Sequence, residues 1–294
     1  MKQTLQSKRN IVALAAPALL LLVLFVLYPL IRIAIMSFQK NDGLSVSRFI
    51  GWSNYKRLFS DSAFGMIDRK SLWLCLLALV FNAALAIFVS LVLCGIDAKR
   101  QGWIRTVFIL PMVLSVSVIS QLWLSIYHAD WGLLNGFLSA VGLAKYRQQW
   151  LINPKTALNC VAVVGMWWFF GMDLLLAFSG IKAVPDSLFE AAELDGCSYF
   201  QTATHVVLPL CKNVCRTCFL ISATGGFFTF PQVYIMTGGG PGDITMTIMM
   251  YMYKQAFSNQ HYGLASAVAV LGILQMVVIL SVIFFVFKKI KGED

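Results

Sequence analysis

Residue types that do chemistry are scarce in this 294-residue chain, and their spacing argues against an active site. The three histidines, His128, His205 and His261, lie in widely separated segments. Glu190 and Glu193 stand at i and i+3, a pair that on a solvated helix serves docking or surface charge rather than acid–base catalysis. Cys215 and Cys218 form a CxxC with no second pair and no histidine cluster beside it. The seven cysteines are therefore expected to be packed, reduced thiols. The glycine run 238–242 lacks the Lys and Ser/Thr with which a phosphate loop holds phosphates and magnesium, and reads as a turn whose glycines supply positive φ. No Ser-His-Asp set, paired-carboxylate site or metal cluster stands out. No catalytic residue and no metal ligand is assigned, and the chain is not expected to be an enzyme by itself.

The elements that must position these residues belong to a membrane. Hydrophobic residues make up 59% of the chain and charged residues only 12%, against roughly 25% charged in soluble domains. Disorder is excluded by the same arithmetic. The net charge of +10 is scattered among apolar stretches and forms no stripe, so nucleic acid is not a partner; it reads as loop charge at a membrane. About 20 apolar residues cross a bilayer, and six runs qualify: 11–36, 71–95, 104–127, 157–181, 214–236 and 264–287. The first is read as an uncleaved span, because no small-x-small cleavage site follows it. The fifth, interrupted by Ser222, Thr224, Gly225, Gly226 and Thr229, suits a surface facing protein or a cavity. The expected fold is an all-α integral membrane protein, one transmembrane domain over 1–294. Lys2, Lys8, Arg9, Lys99, Arg100, Arg105, Lys182, Lys212, Arg216, Lys288, Lys289 and Lys291 then fall on the side of both termini, the cytoplasm. The opposite, longer loops carry Lys56, Arg57, Arg69 and Lys70 and weigh less in this rule.

Segment 184–209, between the fourth and fifth runs, does not look like a plain loop. Pro185 ends one helix, and Ser187 with Glu190 has the spacing of a capping box for another. Ala191 and Ala192 continue a smooth helix, and Gly196 permits the left-handed turn that stops it. A second helical stretch runs from Tyr199 to Val207 and ends at Leu208-Pro209. A small face of this kind suits a groove on another protein. Four of the chain's thirteen acids, Asp186, Glu190, Glu193 and Asp195, are concentrated here. No Lys or Arg lies between Pro185 and Leu208, as an interfacial lipid-binding helix would require.

Glu190-Ala191-Ala192, Asp195-Gly196 and Leu208-Pro209 resemble the EAA motif of permease subunits of ATP-binding-cassette importers. Thr237-Gly238-Gly239-Gly240-Pro241-Gly242, Thr245 and Tyr253 to Phe257 resemble the TxGGP…T…Y…AF signature of the sugar-type, maltose-transporter group (carbohydrate uptake type 1). Phe49-Ile50-Gly51-Trp52-Ser53-Asn54-Tyr55, Leu110-Pro111 and Trp131-Gly132-Leu133-Leu134-Asn135 resemble further habits of that group, so the likeness covers nearly the whole chain in order. Arg69-Lys70 departs from it, many relatives having a neutral pair there. The resemblance implies six transmembrane helices with cytoplasmic termini and a cytoplasmic coupling helix between the fourth and fifth. Glu190, Ala191, Ala192, Asp195 and Gly196 would dock in a cleft of an ATPase. It also implies a multi-pass protein of the bacterial plasma membrane that works by alternating access. Its partners would be a second homologous permease, two ATP-binding subunits that carry ATP and magnesium, an extracytoplasmic solute-binding protein and membrane lipid. This chain would itself hold no cofactor.

For the cargo, a sugar or oligosaccharide, the fourth run offers Trp168 and Phe169 as stacking faces and Asp173 as a hydroxyl acceptor, with Met172 between them. The same aromatics are equally suited to packing between helices, and Asp173 to pairing with a buried donor. In maltose-type relatives a Ser about a dozen residues past the Leu-Pro contacts sugar; Ser222 falls there, with Gly225 and Gly226 following, and Gly226 completes the candidate pathway. Glycerol phosphate or a polyamine is the alternative cargo, although a phosphate would favour Arg or Lys in the pathway. An ion-coupled secondary transporter would predict broken helices with midplane ionisable groups, where only Asp173 fits.

Overall fold

A computed structural model of the protein describes residues 8–43 and 46–289. The first apolar helix is Leu14–Met36 (α1). An antiparallel ribbon follows, Gln39–Lys40 (β1) paired with Arg48–Phe49 (β2), and then the short helix Ser53–Ser60 (α2). The next long helix is Ser62–Cys94 (α3), followed by Ala98–Val113 (α4) and Val116–Ile126 (α5). Ala157–Lys182 (α6) leads into the loop helices Asp186–Leu194 (α7) and Tyr199–Thr202 (α8). Lys212–Met236 (α9) and Tyr262–Lys289 (α10) are the remaining long helices, with shorter ones at Leu133–Ala140 and Ile248–Tyr253. Among the described residues five helices are long and apolar enough to cross a membrane, and up to six if α4 and α5 count as one broken span. Lys2, Lys291 and both chain ends lie outside the described residues, as do the side chains of Lys8 and Arg9.

Two helices differ from their sequence expectation. The run expected at 104–127 is not one rod: α4 and α5 are bent by 98° at their junction. Pro111 lies in the last turn of α4. Ser115, in extended conformation, then accepts a hydrogen bond from the Val118 N–H and starts a new helix. Hydropathy averaged along the run does not register such a break. Conversely, α3 begins at Ser62 instead of near 71, taking in Asp68, Arg69 and Lys70. An apolar window stops at charges, whereas a helix continues if they are matched. Here Gln275 Nε2 donates to both carboxylate oxygens of Asp68, at 2.9 and 3.0 Å, and the Lys70 ammonium donates to the Asp243 carbonyl.

The chain divides into two compact units, Met1–Ser62 with Met252–Ile273 and Ala63–Tyr251 with Leu274–Asp294. In the first, the Asn54 amide donates to the carbonyls of Ser37 (2.8 Å) and Gln39 (3.0 Å), while the Tyr55 hydroxyl donates to Ser37 Oγ (2.8 Å). These bonds fasten α2 to the end of α1 and account structurally for Asn54-Tyr55. The most apolar window of α1 is 0% buried within the chain, a surface suited to lipid or to a partner protein.

The second unit holds the packed interior. One apolar cluster joins Ile67 of α3, Ile119 of α5, Val161 and Val164 of α6, and Val233 and Met236 of α9. Another joins Ala83 and Ile87 of α3, Ala177 and Ile181 of α6, and Cys211, Cys215 and Cys218. The cysteines of the CxxC are thus core residues, and Cys75 and Cys160 are buried as well. Where α9 crosses α3, Gly226 lets the backbones approach: a Cβ there would lie 2.7 Å from the Leu74 carbonyl oxygen.

Candidate coupling loop and substrate cavity

Helix α7 has two faces, set by its own sequence. Val184, Phe189 and Ala192 turn inward, and Val184 and Phe189 join the cluster built on Ile87 and Ile181. Glu190, Ala191, Glu193, Asp195 and Gly196 are exposed, together with Leu194 at 90% and, beyond the turn, Phe200 at 71%. The outer surface is thus an acidic rim around uncovered Leu and Phe side chains. The turn that ends α7 has the geometry expected from Gly196. Its φ is +75°, its N–H donates to Glu193 O (3.0 Å), and the Cys197 N–H donates to Ala192 O (2.9 Å). Both bonds together make a Schellman closure.

The start of α7 differs from expectation. No side chain caps it, and the Ser187–Glu190 box is not formed. Pro185 is the extended entry residue, so Asp186 already takes the first helical position and Ser187 lies inside the first turn. The capping box forms instead at α8: Ser198 Oγ accepts from the Gln201 N–H, and Gln201 Oε1 accepts from the Ser198 N–H at 2.8 Å. Next to it, the Tyr199 hydroxyl donates to the Leu91 carbonyl of α3. Burial, and to a smaller degree the Cys94 thiol, raise the Tyr199 phenol above its ordinary pKa, so it stays a donor.

Four of the six residues expected along the pathway come together. Trp168, Phe169, Ser222 and Gly226 line a cavity of about 170 Å³ with Leu74, Ala78, Asn82, Gly225, Thr229 and Gln232. Met172 and Asp173 do not line it. Asp173 is 0% exposed, and Ser222 Oγ donates to its Oδ2 at 2.5 Å. Its Oδ2 is thus paired with a buried donor, while its Oδ1 has no hydrogen-bond partner among the described residues. Trp168 likewise has its indole N–H engaged, donating to Leu114 O at 3.1 Å, which leaves the ring to offer a face.

Asn82 and Gln232 carry no sequence expectation, whereas Thr229 belongs to the polar interruptions that suit the fifth run to a cavity. Asn82 carries the clearest signal in retrospect, being a lone amide in an otherwise apolar run. It sits in a π-helical turn, Leu79–Ala84, is 3% exposed, and its Oδ1 has no hydrogen-bond partner. An unpaired buried carbonyl beside a cavity is equipped to accept a hydroxyl donor.

With this geometry in view, residues 83–291 match the family model described as "Binding-protein-dependent transport system inner membrane component". The chain belongs to this family. It is accordingly a multi-pass inner-membrane permease subunit, and members of the family are transport components, not enzymes. The permease is 35% identical to the probable ABC transporter permease protein YurN of Bacillus subtilis (strain 168), with 95% of each chain covered. It is 29% identical to the arabinooligosaccharides transport system permease protein AraP of the same organism, covering 95% of this chain and 87% of that one. In fold it resembles a bacterial ABC transporter involved in the import of the acidic polysaccharide alginate, with a TM-score of 0.82, 20% identity and 95% of each chain covered.

Proposed function

We propose that this permease translocates a sugar or oligosaccharide, delivered by an extracytoplasmic binding protein, by alternating access. Two separate ATPase subunits supply the energy, and a second homologous permease completes the pathway. ATP and magnesium belong to those subunits, and this chain holds no cofactor of its own. In this reading residues 1–294 act as a single permease domain with six crossings, the bent pair α4–α5 being the third, and both termini are cytoplasmic. Glu190, Ala191, Ala192, Asp195 and Gly196 present the docking loop to an ATPase; Ala192 does so from its inner side, holding α7 on the core. Trp168, Phe169, Ser222 and Gly226 stand along the pathway, with Met172 and Asp173 supporting them from behind.

The observation that carries this reading is the two-faced loop: an acidic, apolar-centred outer surface, closed by Gly196 and seated by Phe189 on the core. For the cargo, support comes from a relative named for arabinooligosaccharides and from a cavity that combines aromatic rings with uncharged hydroxyl and amide groups. No Lys or Arg lines it, which disfavours a phosphate ester. Glu190→Lys should insert and fold normally but fail to retain the ATPase subunits on purification. Retention at the wild-type ratio would sink the docking assignment. Screening the co-purified binding protein by thermal shift against neutral oligosaccharides, glycerol phosphate and polyamines should give a response with the first class.

A further inference from the structure

Loop 184–209 is covalently continuous with α6 and leads into α9, but it reaches α3 only through side chains. Most of that contact is apolar and carries no directional restraint. One contact does. At the end of α3 the Gly95 N–H turns to Val92 O (3.1 Å) and the Ile96 N–H to Leu93 O (3.3 Å). The Leu91 carbonyl thus loses the i+4 donor it would have had from Gly95. The Tyr199 hydroxyl from α8 takes that place. Its ring lies close against Gly95, where an added Cβ would be 3.2 Å from Tyr199 Cζ. On its inner side the ring meets Leu91, Cys94, Ile181, Phe189 and Val207 across a gap of only about 10 Å³, while its outer side is exposed.

We propose that Tyr199 is a positioning residue that makes α3 follow the loop, by anchoring its hydroxyl on the last-turn carbonyl of Leu91. Helix α3 is the element worth moving, because Leu74, Ala78 and Asn82 on it line the substrate cavity. Leu91 and Asn82 lie nine residues apart on one helix, about 14 Å along its axis. A displacement at Leu91 is therefore delivered to the cavity wall. Ser90 Oγ, whose nearer acceptor is the Ala86 carbonyl of its own helix (2.7 Å), also lies 3.2 Å from the Leu174 carbonyl of α6, and Tyr199 adds the directional link from the loop to α3.

The inference rests on the reading that the loop docks an ATPase, and the two are tested apart in the assembled complex. Tyr199→Phe keeps the ring and its packing and removes only the anchor. The variant should melt near wild type, retain the ATPase subunits and hydrolyse ATP at the basal rate. Stimulation of that rate by the loaded binding protein should fall about three- to tenfold, the range set by one neutral hydrogen bond. Unchanged stimulation, or basal and stimulated rates falling in the same proportion, would overturn it. So would loss of the ATPase subunits from Tyr199→Phe, since the hydroxyl would then be serving docking. Retention of those subunits by Glu190→Lys would instead refute the docking reading, whatever Tyr199→Phe does.

Discussion

Gly225 and Gly226 are adjacent in sequence and both line the cavity, but only at Gly226 would a Cβ strike α3, so the melting temperatures of the two alanine variants isolate the helix crossing. At Gly226 a Cβ would sit 2.7 Å from Ala78 Cβ, 2.7 Å from Leu74 O and 2.9 Å from Cys75 Cα. Two of these neighbours are backbone or alpha-carbon atoms that no rotamer change can withdraw. Ordinary carbon contacts lie near ~3.5–4.0 Å, so α9 and α3 would have to separate by roughly 1 Å at the crossing. Overpacking of this kind costs about 1–3 kcal/mol. On the scale of roughly 2–4 °C per kcal/mol for chains of this size, Gly226→Ala should melt about 2–12 °C lower in detergent. A Cβ at Gly225 meets nothing within 4 Å. Gly225→Ala should hold or slightly raise the melting temperature, since a helix-interior Gly costs about 0.5–1 kcal/mol relative to Ala. Because Gly225 lines the cavity, that variant should alter transport without altering stability. Equal melting temperatures for wild type and Gly226→Ala, or an equal loss in both variants, would refute the crossing geometry.

Two further outcomes follow from buried polar pairs. Ser222→Ala strips Asp173 of the hydroxyl that meets its carboxylate, and an unsatisfied buried acceptor costs about 1–3 kcal/mol. The melting temperature should therefore drop even without cargo; if only the KM for uptake changed, Ser222 would be a substrate contact alone. Asp68→Leu leaves the half-buried Gln275 amide without its acceptor. It should destabilise by a similar ~1–3 kcal/mol, much of it recovered in the Asp68→Leu/Gln275→Leu double variant. Additive losses in a double-mutant thermal series would show that the pair is not coupled.

The helix and turn of loop 184–209 were legible in the sequence because their logic is local. Gly196 stops α7 through bonds to Glu193 and Ala192, groups within four residues, and a left-handed turn needs little more than the right residue in place. The capping box forms on the next helix for the same local reason: Ser187–Glu190 and Ser198–Gln201 have identical spacing, and only the φ and ψ of Pro185 and Ser198 choose between them. The break between α4 and α5 was hidden because hydropathy adds over a run and ignores direction. The start of α3 was hidden because the partners of Asp68 and Lys70 lie more than 170 residues away.

Composition by itself determined that the chain lives in a bilayer, since 12% charged residues cannot cover a soluble surface. Spacing by itself determined that segment 184–209 holds a short helix closed at Gly196. Tertiary structure decided everything that depends on which faces meet. It paired Asp173 with Ser222, brought Asn82 from one helix and Gln232 from another to one cavity, and set Tyr199 on the end of α3. The physical reason is that apolar helices are nearly interchangeable along their length. Their rotation and crossing points are chosen by small residues and rare polar partners distant in sequence, and those choices exist only once the chain has packed.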